Sequence, residues 1–338
     1  MKSSDMASKQ DLHKGITISA PAKIHLLGEH AVVYNKPALL SAINLRASIT
    51  IFKGHPELDS GSKEIPLSKN TTDQVRNDKM VKQLRKVLET IIKKQFKLKT
   101  LPEYYPVINS QIPIGSGLGS SAAISAAYIG ALLTFLKFQW DLNLINELTY
   151  RAEKVFHGNP SGADNTTVVM GGTVWYRKEF EGLKLFSPNV IKVHKKFKNF
   201  LLIDSGKPKE NTRDMVVKVS ESYQKSVTTF NRMFSHQEQL VKDLTTALRD
   251  GDEKKMMDSI KSGERNLEKI GVVGKGAKVI IGSVEAIGGV AKILGAGGFE
   301  EGSGMILAYS PNLQKLIKLS KDNNYSIYQI KLGEQGLK

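Results

Sequence analysis

Apolar and polar positions along the chain change period several times, and each change marks an element. The run YYPVINSQIP alternates Val107, Asn109 and Gln111 with Ile108, Ser110 and Ile112, the period of two expected of a half-buried strand. Upstream, Val81, Leu84, Val87, Leu88, Ile91 and Ile92 recur at helical spacing. Leu142, Ile145, Leu148, Ala152, Val155 and Phe156 do the same between Asp141 and Phe156, where the breakers HGNPSG end the helix. The most apolar segment, Ala122 to Phe138, is interrupted by Ser125, Tyr128, Gly130, Thr134 and Lys137, which predicts a buried helix. Strand-like runs between Ile16 and Phe52 are punctuated at Gly28 and at Asn35 to Pro37, and residues 57–77 read as a surface loop or irregular excursion. Further β structure is predicted in TVVMGGTVWY and FLLID. Two amphipathic helical regions follow, about 211–248 and 252–269, and then a second glycine-rich stretch, LGAGGFEEGSG.

This succession has neither an internal repeat nor a regular βαβ period, so it predicts α+β domains rather than a doubly wound sheet. Its 338 residues suffice for two domains, with a boundary expected near 170–190. The division expected is a polar tail at 1–14, an N-terminal domain at 15–180 and a C-terminal domain at 181–338. No apolar run reaches the ~18 residues of a membrane span. With no cysteine, disulfides and thiolate metal sites are excluded, and the polar N-terminus lacks the apolar core of a secretory signal, so a cytoplasmic location and no membrane partner are expected. Lysine plus arginine number 49 against 33 aspartates plus glutamates, a formal net charge of +16. The lysines are dispersed, and clusters such as KKQFKLK and KVHKKFKNF mix lysine with apolar residues, as solvated faces do. No nucleic-acid partner is expected, although the excess would speed encounter with a small polyanion.

The stretch PIGSGLGSSAAISAA, residues 113–127, sits between the predicted strand and the buried helix. Glycines let backbone N–H groups crowd toward a ligand, and the first turn of the helix adds unpaired donors and the positive end of its dipole. That combination binds phosphate. Neither a Walker A lysine nor the dinucleotide glycine pattern is present, so Gly115, Ser116, Gly117, Leu118, Gly119, Ser120 and Ser121 form a loop of a third kind. A turn that merely packs the helix tightly is the other reading. One of Ser120 and Ser121 is expected to cap the helix, and a hydroxyl there can also ligate magnesium.

Other polar residues stand in apolar or glycine-rich surroundings. Lys23, in APAKI, either faces an anion or snorkels from an edge strand. Glu153 is either a functional carboxylate or a solvated one beside Lys154, and Asp164, read as a loop residue after a tight glycine-proline turn, could cap a helix or turn. Asn211 and Thr212 follow a strand and could contact substrate or cap a helix. Gly295, Gly297 and Gly298 would let a second backbone approach a ligand.

Together APAKIHLLGEHAVVY, PIGSGLGSSAA and GAGG, in that order, resemble the three signature motifs of the GHMP kinases, and GEHAVV, HGNPSGADN and SGKP…NTR look most like the mevalonate kinases among them. The resemblance spans roughly residues 17 to 305. It implies a two-domain α+β GHMP kinase fold with the glycine-rich phosphate loop between the domains, and ATP- and magnesium-dependent phosphorylation of the primary hydroxyl of mevalonate. It also implies roles: Gly115 to Ser121 around the phosphates, Ser121 and Glu153 on magnesium, Asp164 as proton acceptor and Lys23 between them. Glu29, His30, Thr212 and Gly297 would hold the acceptor. A homodimer is compatible with it. The departure is Phe299-Glu300-Glu301, which interrupts the expected glycine run with two carboxylates that must point away from any phosphate. The rival readings are another kinase of the superfamily, acting on phosphomevalonate or at a different hydroxyl of mevalonate, and a non-catalytic nucleic-acid or regulatory binding protein that retains the fold.

Overall fold

The computed structural model describes residues 15–54, 78–113, 115–158 and 160–338, and the expected excursion at 57–77 lies outside them. Strand β1 (Ile16–Leu27) pairs antiparallel with the long β2 (Ala38–Lys53) across the turn at Gly28 and a short 3-10 helix (Ala31–Tyr34). The C-terminal half of β2 pairs with β3 (Tyr104–Ser110), while its start pairs with β4 (Thr173–Phe180), which forms a hairpin with β5 (Leu183–Pro188). The expected break after residue 180 therefore falls inside a hairpin of the first sheet.

One face of that sheet is covered by helix α2 (Ser120–Phe135), packed on β1 and β2 and buried along Ala122 to Leu133. An apolar circumference requires such a position, and the amphipathic α1 (Asp78–Phe96) and α3 (Leu142–His157) close over α2. The expected β region TVVMGGTVWY is half wrong. Ala163–Met170 is helix α4, and strand structure begins only at Thr173. The β-branched residues are held in helix because Thr166 and Thr167 return their hydroxyls to the carbonyls of Gly162 and Ala163, at 2.7 and 2.8 Å, and tertiary burial overrides their strand preference.

The second sheet runs β7 (Val290–Ile293), β8 (Met305–Tyr309), β6 (Phe200–Asp204), β9 (Ile327–Ile330), all antiparallel. The helical region expected over about 211–248 consists of two helices, α5 (Thr212–Lys225) and α6 (Val227–Asp250), because Ser226 leaves helical geometry at φ −147°, ψ 53°. The bend lets Tyr223 meet Phe230, Phe234 and Tyr34 in one aromatic cluster. Helix α7 (Glu253–Ile270) packs on β7 and on β1, joining the two sheets. Helix α8 (Lys275–Ala286) escaped the periodicity reading because Gly276, Gly282 and several β-branched residues mask its propensity. Helix α9 (Leu313–Asp322) completes the layer. Among the described residues no helix is long and apolar enough to cross a membrane.

The last residues return to the first sheet. Ser19 exchanges backbone hydrogen bonds with Lys338 at 2.7 and 2.9 Å, and the Arg46 guanidinium binds the carbonyls of Ser19, Gln335 and Gly336 at 2.9, 2.8 and 2.7 Å. Arg46→Ala should lower unfolding free energy by about 2 to 3 kcal/mol, since several charge-assisted bonds are lost together, and denaturant titration measures it. A second prediction concerns Glu264, which is fully buried on α7 with Oε2 accepting the Ile293 N–H at 3.0 Å. Burial pushes its pKa up from 4.5 to about 8. The folded state thus retains a proton that the unfolded chain releases, so stability declines as pH rises from about 4.5 to about 8. Glu264→Gln should flatten this slope, seen as a smaller fall in Tm between pH 6 and 8 than in the parent.

Candidate active site

The glycine loop leaves β3 and turns back into α2 by placing Gly115, Gly117 and Gly119 at φ 72°, 76° and 73°. Gly119 itself is the N-cap of α2 and no side chain caps the helix, so the expected serine cap is incorrect. The left-handed glycine makes the turn by backbone alone and leaves both serine hydroxyls for other partners. Leu118 is buried, and its carbonyl accepts the Lys23 N–H at 3.0 Å, which ties the loop to β1. Ser116 folds inward, donating to the Pro113 carbonyl at 2.6 Å. The second glycine turn, after β7, rises against the first. A Cβ on Gly117 would lie 3.6 Å from the Leu294 carbonyl oxygen.

Lys23 points to this loop from β1 and is buried to 2% exposure. An ammonium has three donors, and here they meet Asp164 Oδ1 at 3.1 Å, the Gly117 carbonyl at 2.9 Å and His25 Nδ1 at 3.3 Å. Snorkelling is thereby excluded. Gly119 is glycine for the same reason, because a Cβ there would come within 2.8 Å of Lys23 Cγ. Asp164 belongs to the first turn of α4, not to a loop, and Gly162 at φ 92° starts that helix. Its carboxylate therefore projects from a rigid element beside the positive end of a short helix.

Glu153, on α3, is 4% exposed, which rules out the solvated reading. The Ser121 hydroxyl donates to its Oε2 at 3.3 Å, and its Oε1 is buried without a partner among the described residues. Burial, and next the nearby charge of Asp164, push its pKa up to about 7 against the opposing effects of Ser121 and Lys23. His157, one helical turn on, brings Nε2 to 3.3 Å from Ser121 Oγ and 3.6 Å from Glu153 Oε2. Sequence reasoning used His157 only as a helix breaker. Its spacing of four from Glu153 on one helix was the available signal.

The remaining candidates divide. Glu29 and His30 are buried, but Glu29 pairs with Lys292 of β7, and His30 Nε2 donates to the Ala296 carbonyl at 3.1 Å. Burial lowers the His30 pKa, so the ring is a neutral donor. Both border a small cavity of about 10 Å³ whose polar lining includes Gln237 and Asn266. Gly297 packs tightly beneath the Val272 carbonyl, and Thr212 opens α5 at the surface, where Asn211 is the cap, accepting the Asp214 N–H at 3.0 Å. In the interruption after the second glycine turn, Glu300 turns to Lys209 at 2.8 Å and Phe299 lies under Lys218. Lys292 was missed, although a lysine within the apolar run VAKI carries the same signal that singled out Lys23 in APAKI.

Residues 79–172 match the GHMP kinases N terminal domain. The chain is 32% identical over 280 residues to the mevalonate kinase of Archaeoglobus fulgidus, covering 83% of this chain and 88% of the relative. It is 28% identical over 319 residues to the mevalonate kinase of Pyrococcus abyssi, covering 89% and 90%. The crystal structure of L. major mevalonate kinase in complex with R-mevalonate superposes with a TM-score of 0.75 at 19% identity, covering 96% of this chain and 97% of that one, and so shows the same fold. The chain belongs to the mevalonate kinase family of the GHMP kinases.

Proposed function

We propose that the protein transfers the γ-phosphoryl group of ATP to the primary hydroxyl of mevalonate, giving 5-phosphomevalonate and ADP. The observation that carries this reading is the ion pair of Lys23 with Asp164 at 3.1 Å, set against the glycine loop through the Gly117 carbonyl. The relatives from Archaeoglobus fulgidus and Pyrococcus abyssi that support the acceptor are themselves mevalonate kinases. Nucleotide and acceptor meet where the loop of the first sheet faces the glycine turn of the second.

In this mechanism the loop backbone of Gly115 to Ser121 and the α2 N-terminus bind the phosphates. Asp164 accepts the proton of the acceptor hydroxyl as its oxygen attacks the γ-phosphorus and the bond to the β-phosphate oxygen breaks. Lys23 holds Asp164 in place and offsets the negative charge that gathers at the transferring group. His30, Thr212 and the glycine turn at Gly297 are assigned to holding the acceptor.

Magnesium fits the residues present. Glu153 offers a buried oxygen lacking a partner among the described residues, Ser121 offers a hydroxyl, and both are the hard donors this ion takes when phosphates supply the rest. When bound, magnesium would neutralise charge on the phosphates.

Purified protein should phosphorylate mevalonate with ATP and magnesium, with phosphomevalonate and homoserine assayed beside it; turnover confined to another acceptor would refute the choice of substrate. Asp164→Asn should lose about 10²- to 10⁴-fold in kcat with an unchanged fold by circular dichroism, and near-full activity would remove it from the mechanism. Lys23→Met should also lower kcat. Ser121→Ala should raise the magnesium concentration for half-maximal rate, and an unaltered magnesium titration would count against that serine as a ligand.

A further inference from the structure

Behind the Lys23–Asp164 pair lies a second buried ammonium group that the mechanism does not use. Lys292 stands in β7 and is fully buried, with Val290, Ala291 and Ile293 buried around it. An unpaired ammonium there would be strongly unfavourable. Its donors meet the Glu29 carboxylate, the Ile293 carbonyl at 2.7 Å and the His25 carbonyl at 3.3 Å. Ile293 is its own neighbour in β7, but Glu29 and His25 belong to β1 and the turn after it. One side chain of the second sheet is thus fastened to the strand that carries Lys23 and to the turn that follows it.

The strand is shaped to receive it. The pairing of β1 with β2 shifts register between His25 and Leu27, and such an irregularity turns backbone groups away from the ladder. The ring of the same His25 meets Lys23 Nζ through Nδ1 at 3.3 Å. His25 is therefore held between two ammonium groups, by its carbonyl on one side and its ring on the other. Burial, and then the charges of Lys23 and Lys292, lower its pKa and keep the ring neutral, so that Nδ1 accepts from Lys23. The charges also balance. Of the two carboxylates near Lys292, Glu264 favours its protonated form, which leaves Glu29 as the single counter-charge.

We infer that Lys292 is a positioning residue: by clamping Glu29 and the His25 carbonyl it sets the irregularity in β1, and thereby the His25 ring that aims Lys23 at Asp164. Glu29 then acts through Lys292 rather than by touching the acceptor. The effect on turnover rests on the kinase reading above, whereas the effect on Lys23 does not.

The test compares Lys292→Met, which leaves Glu29 buried and uncompensated, with the double variant Lys292→Met/Glu29→Gln, which removes both charges, and with His25→Leu, which removes only the ring. Three readouts are Tm, kcat with KM for ATP, and the ¹H–¹⁵N NMR signal of the Lys23 ammonium, assigned by its loss in Lys23→Met. The single lysine variant should lose stability and the double should recover most of it. In both the double variant and His25→Leu, kcat should fall at least about tenfold with KM for ATP little changed, and the Lys23 signal should shift or broaden away. A parent-like kcat and Lys23 signal in either would overturn the inference and leave Lys292 as a packing element only. If the parent protein turns over no mevalonate, the kinase reading fails, and the Lys23 signal alone decides this one. Should the double variant not fold, His25→Leu carries the decision.

Discussion

A buried ammonium must have its donors met, and at Lys23 that requirement draws together parts of the chain that are remote in sequence. Asp164 comes from α4, the Gly117 carbonyl from the loop before α2, and His25 from the same strand. Each partner is held by something else: Asp164 by a helix begun at Gly162, Gly117 by a loop pinned through buried Leu118, and His25 by the carbonyl contact from Lys292. Removing any of these supports leaves a charge in a place where water cannot compensate it.

The architecture follows from the same need. Helix α2 is apolar on all sides and must be enclosed, so its N-terminus arrives at a fixed point above β1 and brings the glycine loop with it. Three of the seven loop residues, Gly115, Gly117 and Gly119, have no side chain to position them. The loop's order comes from positive-φ glycines, from Leu118 beneath and from the second glycine turn alongside. Electrostatics in this region are shaped mainly by burial. Glu153 is pushed up to about 7, His25 and His30 are kept neutral, and Glu264 is pushed up to about 8 on the far side of Lys292. A site assembled in this way presents a few oriented groups and little mobile charge, which suits transfer of a highly charged group.

Much of this was legible in residue order. Alternation in YYPVINSQIP, the stripe from Leu142 to Phe156 and the glycine loop before an apolar helix each depend on neighbours within one or two turns, and each corresponds to an element in the structure. Local preference misled where packing outweighed it. Thr166 to Val169 are strand formers held in helix by burial, Ser226 breaks a continuous amphipathic pattern so that an aromatic cluster can close, and α8 is hidden by glycines that packing tolerates.

Periodicity, glycine placement and motif order in this chain thus determined the class of fold, the presence of a glycine loop ahead of the apolar helix and the identity of most polar groups around it, since these properties reside in short segments. Pairing was decided only in three dimensions. The sequence contains two lysines in apolar strands and two acidic residues shortly after glycines, but nothing local states that Lys23 meets Asp164 while Lys292 takes Glu29. The physical reason is that desolvation is a property of the whole packed layer: a carboxylate becomes a counter-ion, a cap or a surface charge according to which distant side chains exclude water around it.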